Sequence, residues 1–234
     1  MKIKMQYRLS LILIPLFLFS PLLLISEEES LPALPQNNCA KFKVGLQVGH
    51  WMAQNLPDEF ASLKKNGVKI KGVQEFEVTL PIALKTKEIL ETKGVKVEIL
   101  PAKVPPGYEA DAFLALHADE SKNPNISGFR AAPSFFDVTQ KAATLASLIN
   151  YYYEKETRIP FLPVFTSRMT HYYAFNWQDF FNTISKRTPA VILETGFLTN
   201  ARDFSILTKK SELAAQGIAL AVLNFLGCQK NFSD

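Results

Sequence analysis

Short, largely apolar segments recur along the chain and predict the strands of a buried sheet. Residues 190–193 contain two β-branched side chains and no polar position, which is typical of a strand covered on both faces. Residues 42–48 and 112–116 have a similar character. Residues 95–100 alternate apolar and polar positions, as a half-exposed strand does, and residues 127–132 could add a further short strand.

Amphipathic segments lie between these strands. Residues 78–93 carry apolar side chains at helical spacing and end at Gly94, and residues 137–153 and 212–226 predict two more long helices. Shorter helical segments are predicted at 59–65, 176–185 and 204–207. Strands that alternate with helices indicate an α/β fold, and we expect a single domain with a twisted, mostly parallel sheet and helices on both faces.

The N-terminal residues 1–26 predict a signal peptide or a retained membrane anchor. Basic residues precede an almost wholly apolar stretch at 9–25, which could also act as a membrane tether. Both alternatives place the rest of the chain outside the cytoplasm, in the periplasm, in the cell wall or in the extracellular space. We expect a linker at 27–40, the working domain at 41–228 and a C-terminal tail at 229–234.

The charge of the chain argues against a nucleic-acid partner. The formal net charge is +4, but setting aside Lys2, Lys4 and Arg8 of the predicted leader leaves 23 basic against 22 acidic residues. No stripe of basic residues interleaved with aromatic residues remains. The length of 234 residues suffices for one α/β domain with a substantial core.

Two cysteines flank the predicted domain. Cys39 precedes the first strand and Cys228 follows the last helix, and in an exported protein this pair favours a disulfide. Lipidation of Cys39 is the alternative, but residues 36–38 lack the apolar and small side chains expected before a lipidated cysteine.

Three chemically active side chains follow the predicted strands directly. His50, His117 and Glu194 each come at the end of an apolar run, and the carboxyl ends of strands in open α/β sheets are where ligands bind. Two imidazoles and a carboxylate form a familiar open zinc site. Taken singly, each residue could instead be a core histidine, a surface histidine or a buried ion-pair partner, so their shared placement carries the prediction.

The residues alone leave the third protein ligand of such a zinc site open. Glu75, just before the first long helix, is the leading candidate, although the dipole of that helix would also favour an acid at this position without any metal. Glu77, Asp119 and Glu59 compete with it.

Candidate substrate-binding residues are less specific. Trp51 could stack on a sugar, Asp119 could hydrogen-bond a metal ligand, and His171 could line a groove from an aromatic segment. Asn200 could brace or cap the turn after the last strand. Packing roles are equally compatible with these positions.

Several of these segments resemble the zinc-dependent N-acetylmuramoyl-L-alanine amidases of bacterial cell walls. The resemblance covers about residues 42–226. Its most specific piece is Glu-x-Gly-Phe-x-x-Asn after a Pro-Ala-apolar strand. The matching segments are Gly49-His50, Glu75 with the helix that follows it, Leu116-His117-Ala118-Asp119, and residues 189–200.

The resemblance implies one Zn²⁺ held by His50, Glu75 and His117, with Glu194 as the catalytic carboxylate. It selects Glu75 over Glu77 as the ligand. The implied substrate is peptidoglycan, cut at the amide between N-acetylmuramic acid and L-alanine.

The chain departs from the family at two places. The family pattern Asp-Pro-Gly-His-Gly-Gly is replaced by Gln47-Val48-Gly49-His50-Trp51-Met52, and Phe76 stands where a Lys often follows the ligand Glu. These changes affect the loop around the first ligand and therefore the fit of the substrate.

Two other functions fit the same residues. One is a related zinc amidohydrolase or carboxypeptidase acting on a soluble N-acyl or peptide substrate, and the other is a non-catalytic wall-binding module. The sequence also leaves open a regulatory protein partner, and it indicates residues 51–74 and 156–180 as places for a lid.

Overall fold

A five-stranded sheet forms the centre of the computed structural model, in the order β4-β1-β5-β7-β6. The strands in chain order are β1 (Lys43–Val48), β2 (Lys69–Ile70), β3 (Val73–Gln74), β4 (Lys96–Leu100), β5 (Ala112–Asp119), β6 (Arg130–Pro133) and β7 (Ala190–Phe197). In the central sheet β4, β1, β5 and β7 run parallel, whereas β6 is antiparallel to β7. The mostly parallel sheet predicted from the sequence is therefore confirmed. Strands β2 and β3 form a separate antiparallel pair.

The structure describes residues 39–56, 60, 64 and 67–228, which all belong to one compact unit spanning 37–234. The predicted leader, most of the linker, the C-terminal tail and most of the helix predicted at 59–65 lie outside the described residues. Within the described part of the chain, no helix is long and apolar enough to cross a membrane.

The helices follow the predicted order with shifted ends. They are α1 (Glu75–Thr92), α2 (Ala142–Thr157), α3 (Ser167–Thr170), α4 (Ala201–Lys209) and α5 (Ser211–Phe225). Helix α1 begins three residues earlier than predicted, because Gln74 and Glu77 form a capping box across its first turn. Glu75 is consequently the first residue of the helix.

Two of the helix predictions need correction. Helix α2 begins at Ala142 and not at 137, because the Asp137 carboxylate accepts hydrogen bonds from the Thr139 and Ala142 backbone N–H groups and holds a turn. Residues 176–185 are not helical, so that prediction is wrong. The Asn176 side chain accepts a hydrogen bond from the Asp179 N–H, and this local bond stabilises a turn there instead.

The two faces of the sheet are covered differently. Val44, Leu114 and Val191 belong to a core cluster that contains residues of all the long helices. Alternate positions of the same strands, such as Phe113 and Ile192, face a second cluster built from loops and from short helical turns that include Met169 of α3 and the 3-10 turn Tyr173–Phe175. Helices thus lie on both faces, with the long ones on one side. The loop-covered side is where the polar side chains of the sheet gather.

A disulfide joins the two ends of the described domain. Cys39 lies in the 3-10 turn Cys39–Lys41 before β1, and Cys228 follows α5. Their Cα atoms are 5.9 Å apart, and the bond closes a sequence separation of 189 residues. The predicted pairing is confirmed in the structure.

We expect the double variant Cys39→Ser, Cys228→Ser to unfold with a free energy lower by roughly 2–5 kcal/mol, because the crosslink restricts the unfolded chain. Urea denaturation of the oxidised protein and of the variant measures the difference. A reductant should destabilise only the parent protein. Equal stability of parent and variant would contradict a structural role for this bond.

Candidate active site

A row of polar side chains crosses the sheet near the carboxyl ends of its parallel strands. His117 of β5 pairs in register with Glu194 of β7, and Glu194 pairs in turn with Arg130 of β6. Side chains at such neighbouring positions have Cβ atoms about 5 Å apart. The sheet thereby sets a base, an acid and a guanidinium side by side on its loop-covered face.

The sequence placed His117 and Glu194 just beyond their strands, and the structure corrects this. β5 runs on to Asp119 and β7 to Phe197, so both residues lie inside strands. The ladder between β5 and β7 shifts register between His117 and Asp119. A strand predicted from its apolar run alone ends at the first polar residue, so this pattern does not predict polar residues inside a buried strand.

His50 reaches the same place from the loop after β1. Its backbone is left-handed, with φ of 60°, and that of Met52 is similar at 58°. The Gly49 N–H donates to the Leu116 carbonyl, which ties this loop to β5. A Cβ atom on Gly49 would lie 2.2 Å from Cε1 of His117, so only glycine lets the two histidines approach. Their ring centroids are 5.2 Å apart.

Glu75 lies between the two imidazoles. Its Oε1 is 2.9 Å from Nδ1 of His117, and its Oε2 is 3.7 Å from Nε2 of His50. The same carboxylate accepts hydrogen bonds from the backbone N–H groups of Ala118 and Val68, each at 3.1 Å. Only 2% of Glu75 is exposed. A buried carboxylate needs partners of this kind.

The electrostatics match this arrangement. Burial alone would raise the pKa of Glu75, but the hydrogen bond and charge of His117, the charge of His50 and the Val68 N–H outweigh burial and lower it. Burial would lower the pKa of His117, yet the hydrogen bond and charge of Glu75, with Glu194 adding to them, raise it. The two pKa shifts therefore favour an ionised Glu75 carboxylate facing the His117 ring.

The donor set fits a metal ion. One ligand atom from each of His50, Glu75 and His117 lies within 4.8 Å of the other two. Two imidazole nitrogens and one carboxylate oxygen are a ligand set that zinc accepts in sites with an open fourth position. The chemistry and spacing of these side chains therefore suit Zn²⁺.

Glu194 lies beside this cluster. Burial raises the pKa of Glu194 to about 7, and Glu75 adds to the increase, whereas the charges of His117 and Arg130 oppose it. A carboxyl group with a pKa near neutrality can both accept and return a proton. Glu194 therefore has the electrostatics expected of an acid–base group.

A cavity of about 390 Å³ gives access to the cluster. His50, Glu75, His117 and Glu194 line it on the sheet side, together with Arg130. Thr166, Arg168, Met169 and Tyr172 line it from residues 163–175, inside the stretch that the sequence indicated as a place for a lid.

The structure separates the weaker substrate-binding candidates. Asp119 lines the cavity and forms an ion pair with Arg130. Trp51 packs against the core on the other side of the sheet, and His171 stacks on Phe135 with ring centroids 4.5 Å apart. Asn200 is the N-cap of α4, where its side chain accepts from two backbone N–H groups. Among these four residues, only Asp119 lines this cavity.

Sequence reasoning missed Arg130 and Tyr172. The Tyr172 hydroxyl is 3.2 Å from Nε2 of His117, opposite the nitrogen that faces Glu75. Burial raises the pKa of Tyr172 well above its ordinary value, with Tyr173 and Glu75 adding to the increase, and hydrogen bonding with the Gln47 amide works against it. Nothing local in the sequence marks either position, because both depend on contacts made across the fold.

We expect Gly49→Ala to weaken zinc binding at least tenfold, because its Cβ would collide with the His117 ring. Competition with a chromogenic chelator measures the affinity. Gly45→Ala is the matched control, since Gly45 lies in β1 and its Cβ would lie 2.7 Å from the Tyr108 ring, away from the cluster. The control should lose stability and keep its zinc affinity. Equal zinc affinity in the Gly49→Ala protein would refute the geometry.

Comparisons with known proteins identify the family of this chain. The family model for N-acetylmuramoyl-L-alanine amidase, Amidase_3, matches residues 46–224. No curated protein sequence matches the chain significantly.

Solved structures of other proteins share the fold. AmiC2 of Nostoc punctiforme is 20% identical with a TM-score of 0.57, over 80% of this chain and 97% of that one. The CwlD amidase from Clostridioides difficile, solved in complex with the GerS lipoprotein, is 16% identical with a TM-score of 0.57, over 80% of this chain and 100% of that one. Cwp6 from Clostridium difficile is 19% identical with a TM-score of 0.55, over 79% of this chain but only 29% of its own length.

The family match covers well over half of the residues and includes the three side chains of the cluster and the acid, Glu194, beside them. The chain belongs to the N-acetylmuramoyl-L-alanine amidase family and is an amide hydrolase of cell-wall peptidoglycan.

Proposed function

We propose that this chain cleaves the amide between the lactyl group of N-acetylmuramic acid and L-alanine, using one Zn²⁺ held by His50, Glu75 and His117. The observation that carries the proposal is the buried cluster of these three ligands beside Glu194 in a single cavity. Family membership supplies the substrate class.

Zinc bound there supplies a Lewis acid that polarises the amide carbonyl and activates water. Glu194 accepts a proton from the attacking water as the water oxygen bonds to the carbonyl carbon. The carboxyl group then gives that proton to the nitrogen of L-alanine as the C–N bond breaks. The immediate products are a lactyl carboxylic acid on the glycan and a stem peptide with a free amine, and the proton of the acid then passes to the amine to give a carboxylate and an ammonium group.

Neighbouring charges prepare Glu194 for this role. Burial raises the pKa of Glu194, and the positive charge of Arg130 opposes that rise and so favours the ionised form that can act as a base. The ion pair with Asp119 and the Phe197 ring, 5.3 Å from the guanidinium, fix the position of Arg130. Arg130 is therefore a fixed positive charge in the wall of the cavity, beside Glu194.

We further propose that the protein is exported and acts at the cell wall, with residues 1–26 as its signal or anchor. The apolar stretch at 9–25 and the disulfide of the domain support export. A regulatory partner also belongs to this proposal. Its support is that CwlD was solved in complex with the GerS lipoprotein.

The proposal predicts that the full chain, purified in mild detergent and loaded with zinc, releases stem peptides that begin at L-alanine from purified peptidoglycan. Glu194→Gln should lower this rate by about 10²–10⁴-fold, because the group that moves the proton is lost. Mass spectrometry of the soluble products measures the rate. Zinc content, measured in parallel, should be unchanged.

Glu120→Gln is the matched control, because this exposed carboxylate follows β5 but does not line the cavity. It should retain the activity of the parent. Faster cleavage of a free N-acetylated dipeptide than of a muropeptide would instead favour a soluble substrate. Full activity of Glu194→Gln would remove Glu194 from the mechanism.

A further inference from the structure

Large apolar side chains open to solvent gather on one part of the domain, away from the metal cluster. They are Phe135, Val138, Trp177 and Phe181, and we call these four residues the apolar patch. Phe135 is 69% exposed and Phe181 79% exposed. Exposed apolar side chains that gather in this way mark an interaction surface.

Contacts within the fold hold the first part of the apolar patch in its exposed position. One face of the Phe135 ring stacks on His171, with ring centroids 4.5 Å apart, which leaves the other face open. The Trp177 indole N–H donates to the Phe136 carbonyl at 3.3 Å. This bond joins the segment that contains Trp177 to the segment that follows β6.

Phe181 is held outward by its neighbours. The preceding residue, Phe180, stacks on Phe60 with ring centroids 5.9 Å apart and belongs to the second core cluster. Two residues after Phe181, the Thr183 carbonyl accepts the N–H of Tyr108, which lies just before β5. The exposed Phe181 ring is therefore attached to a fixed backbone near the amino end of β5.

The apolar patch lies near the amino ends of the parallel strands, whereas the metal cluster lies near their carboxyl ends. The N–H of Ser134, directly before Phe135, donates to the carbonyl of Ala190, the first residue of β7. Glu194 is four residues further along β7, or about 13 Å at the rise of a strand. Cys39, which precedes β1, is at the same end of the sheet as the apolar patch.

Cations border the apolar patch. Nζ of Lys186 is 5.8 Å from the Trp177 ring centroid, and Lys141 is exposed just after Val138. The acids beside the patch, Asp137 and Asp179, both accept hydrogen bonds from neighbouring residues. Exposed aromatic rings bordered by lysines are typical of protein surfaces that contact lipid headgroups.

We propose that the apolar patch docks on the lipid surface of a membrane and leaves the cavity facing away from it. The occupant follows from the chain before the domain. The apolar stretch 9–25 precedes Cys39 by 14 positions, a reach of at most about 50 Å. A domain tethered within that distance needs only a weak additional contact to dock. The proposal rests on the anchor alternative under Proposed function and adds the surface through which the domain contacts lipid.

The first test uses the full chain in vesicles of phosphatidylethanolamine and phosphatidylglycerol with acyl chains brominated near the headgroup. Bromine quenches tryptophan emission at contact, and the chain has two tryptophans. The proposal predicts that Trp177 is quenched and that Trp177→Phe removes the quenched component. Trp51, next to His50, should stay unquenched. An unquenched Trp177, or a chain that does not float with the vesicles, would overturn the proposal.

The second test weakens the apolar patch. The double variant Phe135→Ser, Phe181→Ser should lower the docking equilibrium constant at least about tenfold, because two apolar rings are withdrawn from the contact. Flotation should show that residues 9–25 still hold the variant on the vesicles. Quenching of Trp177 as strong as in the parent would mean that the patch is not the contact, and the proposal would be wrong.

Tyr151→Ser is the matched control. Tyr151 is 60% exposed, but it lies on α2 in a separate groove with Arg158 and Arg202. This control should keep the quenching of the parent. Loss of quenching in Tyr151→Ser as large as in the double variant would contradict a specific role for the apolar patch.

Cleavage of a soluble muropeptide on the same vesicles separates docking from catalysis. The double variant should cleave at the rate of the parent, because the apolar patch contains no metal ligand and does not line the cavity. Quenching without cleavage in either protein would reject the proposed function and leave docking intact. A dimer that shields Trp177 from iodide, with no quenching by lipid, would assign the patch to a second copy and overturn the proposal.

Discussion

One buried carboxylate, that of Glu75, connects the elements that make the site. It begins α1, accepts N–H groups from Val68 and Ala118, and contacts both His50 and His117. A charge buried this deeply is stable only while its partners stay in place. The hairpin before α1, the loop after β1 and the strand β5 are therefore held to one another by the group that would also bind the metal.

The two faces of the sheet are covered differently, and this difference determines where the site lies. Long helices cover one face, and the loop-covered face carries Gln47, His117 and Glu194 at alternating strand positions. Loops can leave a cavity where a packed helix would fill it. Tyr172 from these loops reaches His117, so the loop that walls the cavity also contributes to the metal environment.

The sequence predicted those features that depend on local pattern. Apolar runs indicated the strands, amphipathic spacing indicated α1, and the position of Glu75 before that helix suggested a ligand. Arg130 and Tyr172 were not predicted from the sequence, because their places in the site depend on strand pairing and on contacts between distant segments. The helix expected at 176–185 failed for a related reason, since the Asn176 side chain stabilises a turn that periodicity does not reveal.

Gln47 stands where the family pattern has an acid, and its amide bonds to Ala102 and Tyr173. A neutral amide can donate to a carbonyl, which a carboxylate cannot do. The replacement of the family's acid by Gln47 is thus accommodated by the aromatic segment that contains Tyr173.

X-ray absorption at the zinc edge of the zinc-loaded full chain tests the central claim most directly. The account predicts one zinc per chain with imidazole nitrogen and carboxylate oxygen neighbours at about 2.0–2.2 Å and no sulfur. The imidazole scattering should fall by half in His117→Ala. A sulfur neighbour, or a spectrum unchanged by that substitution, would contradict the assignment of the site.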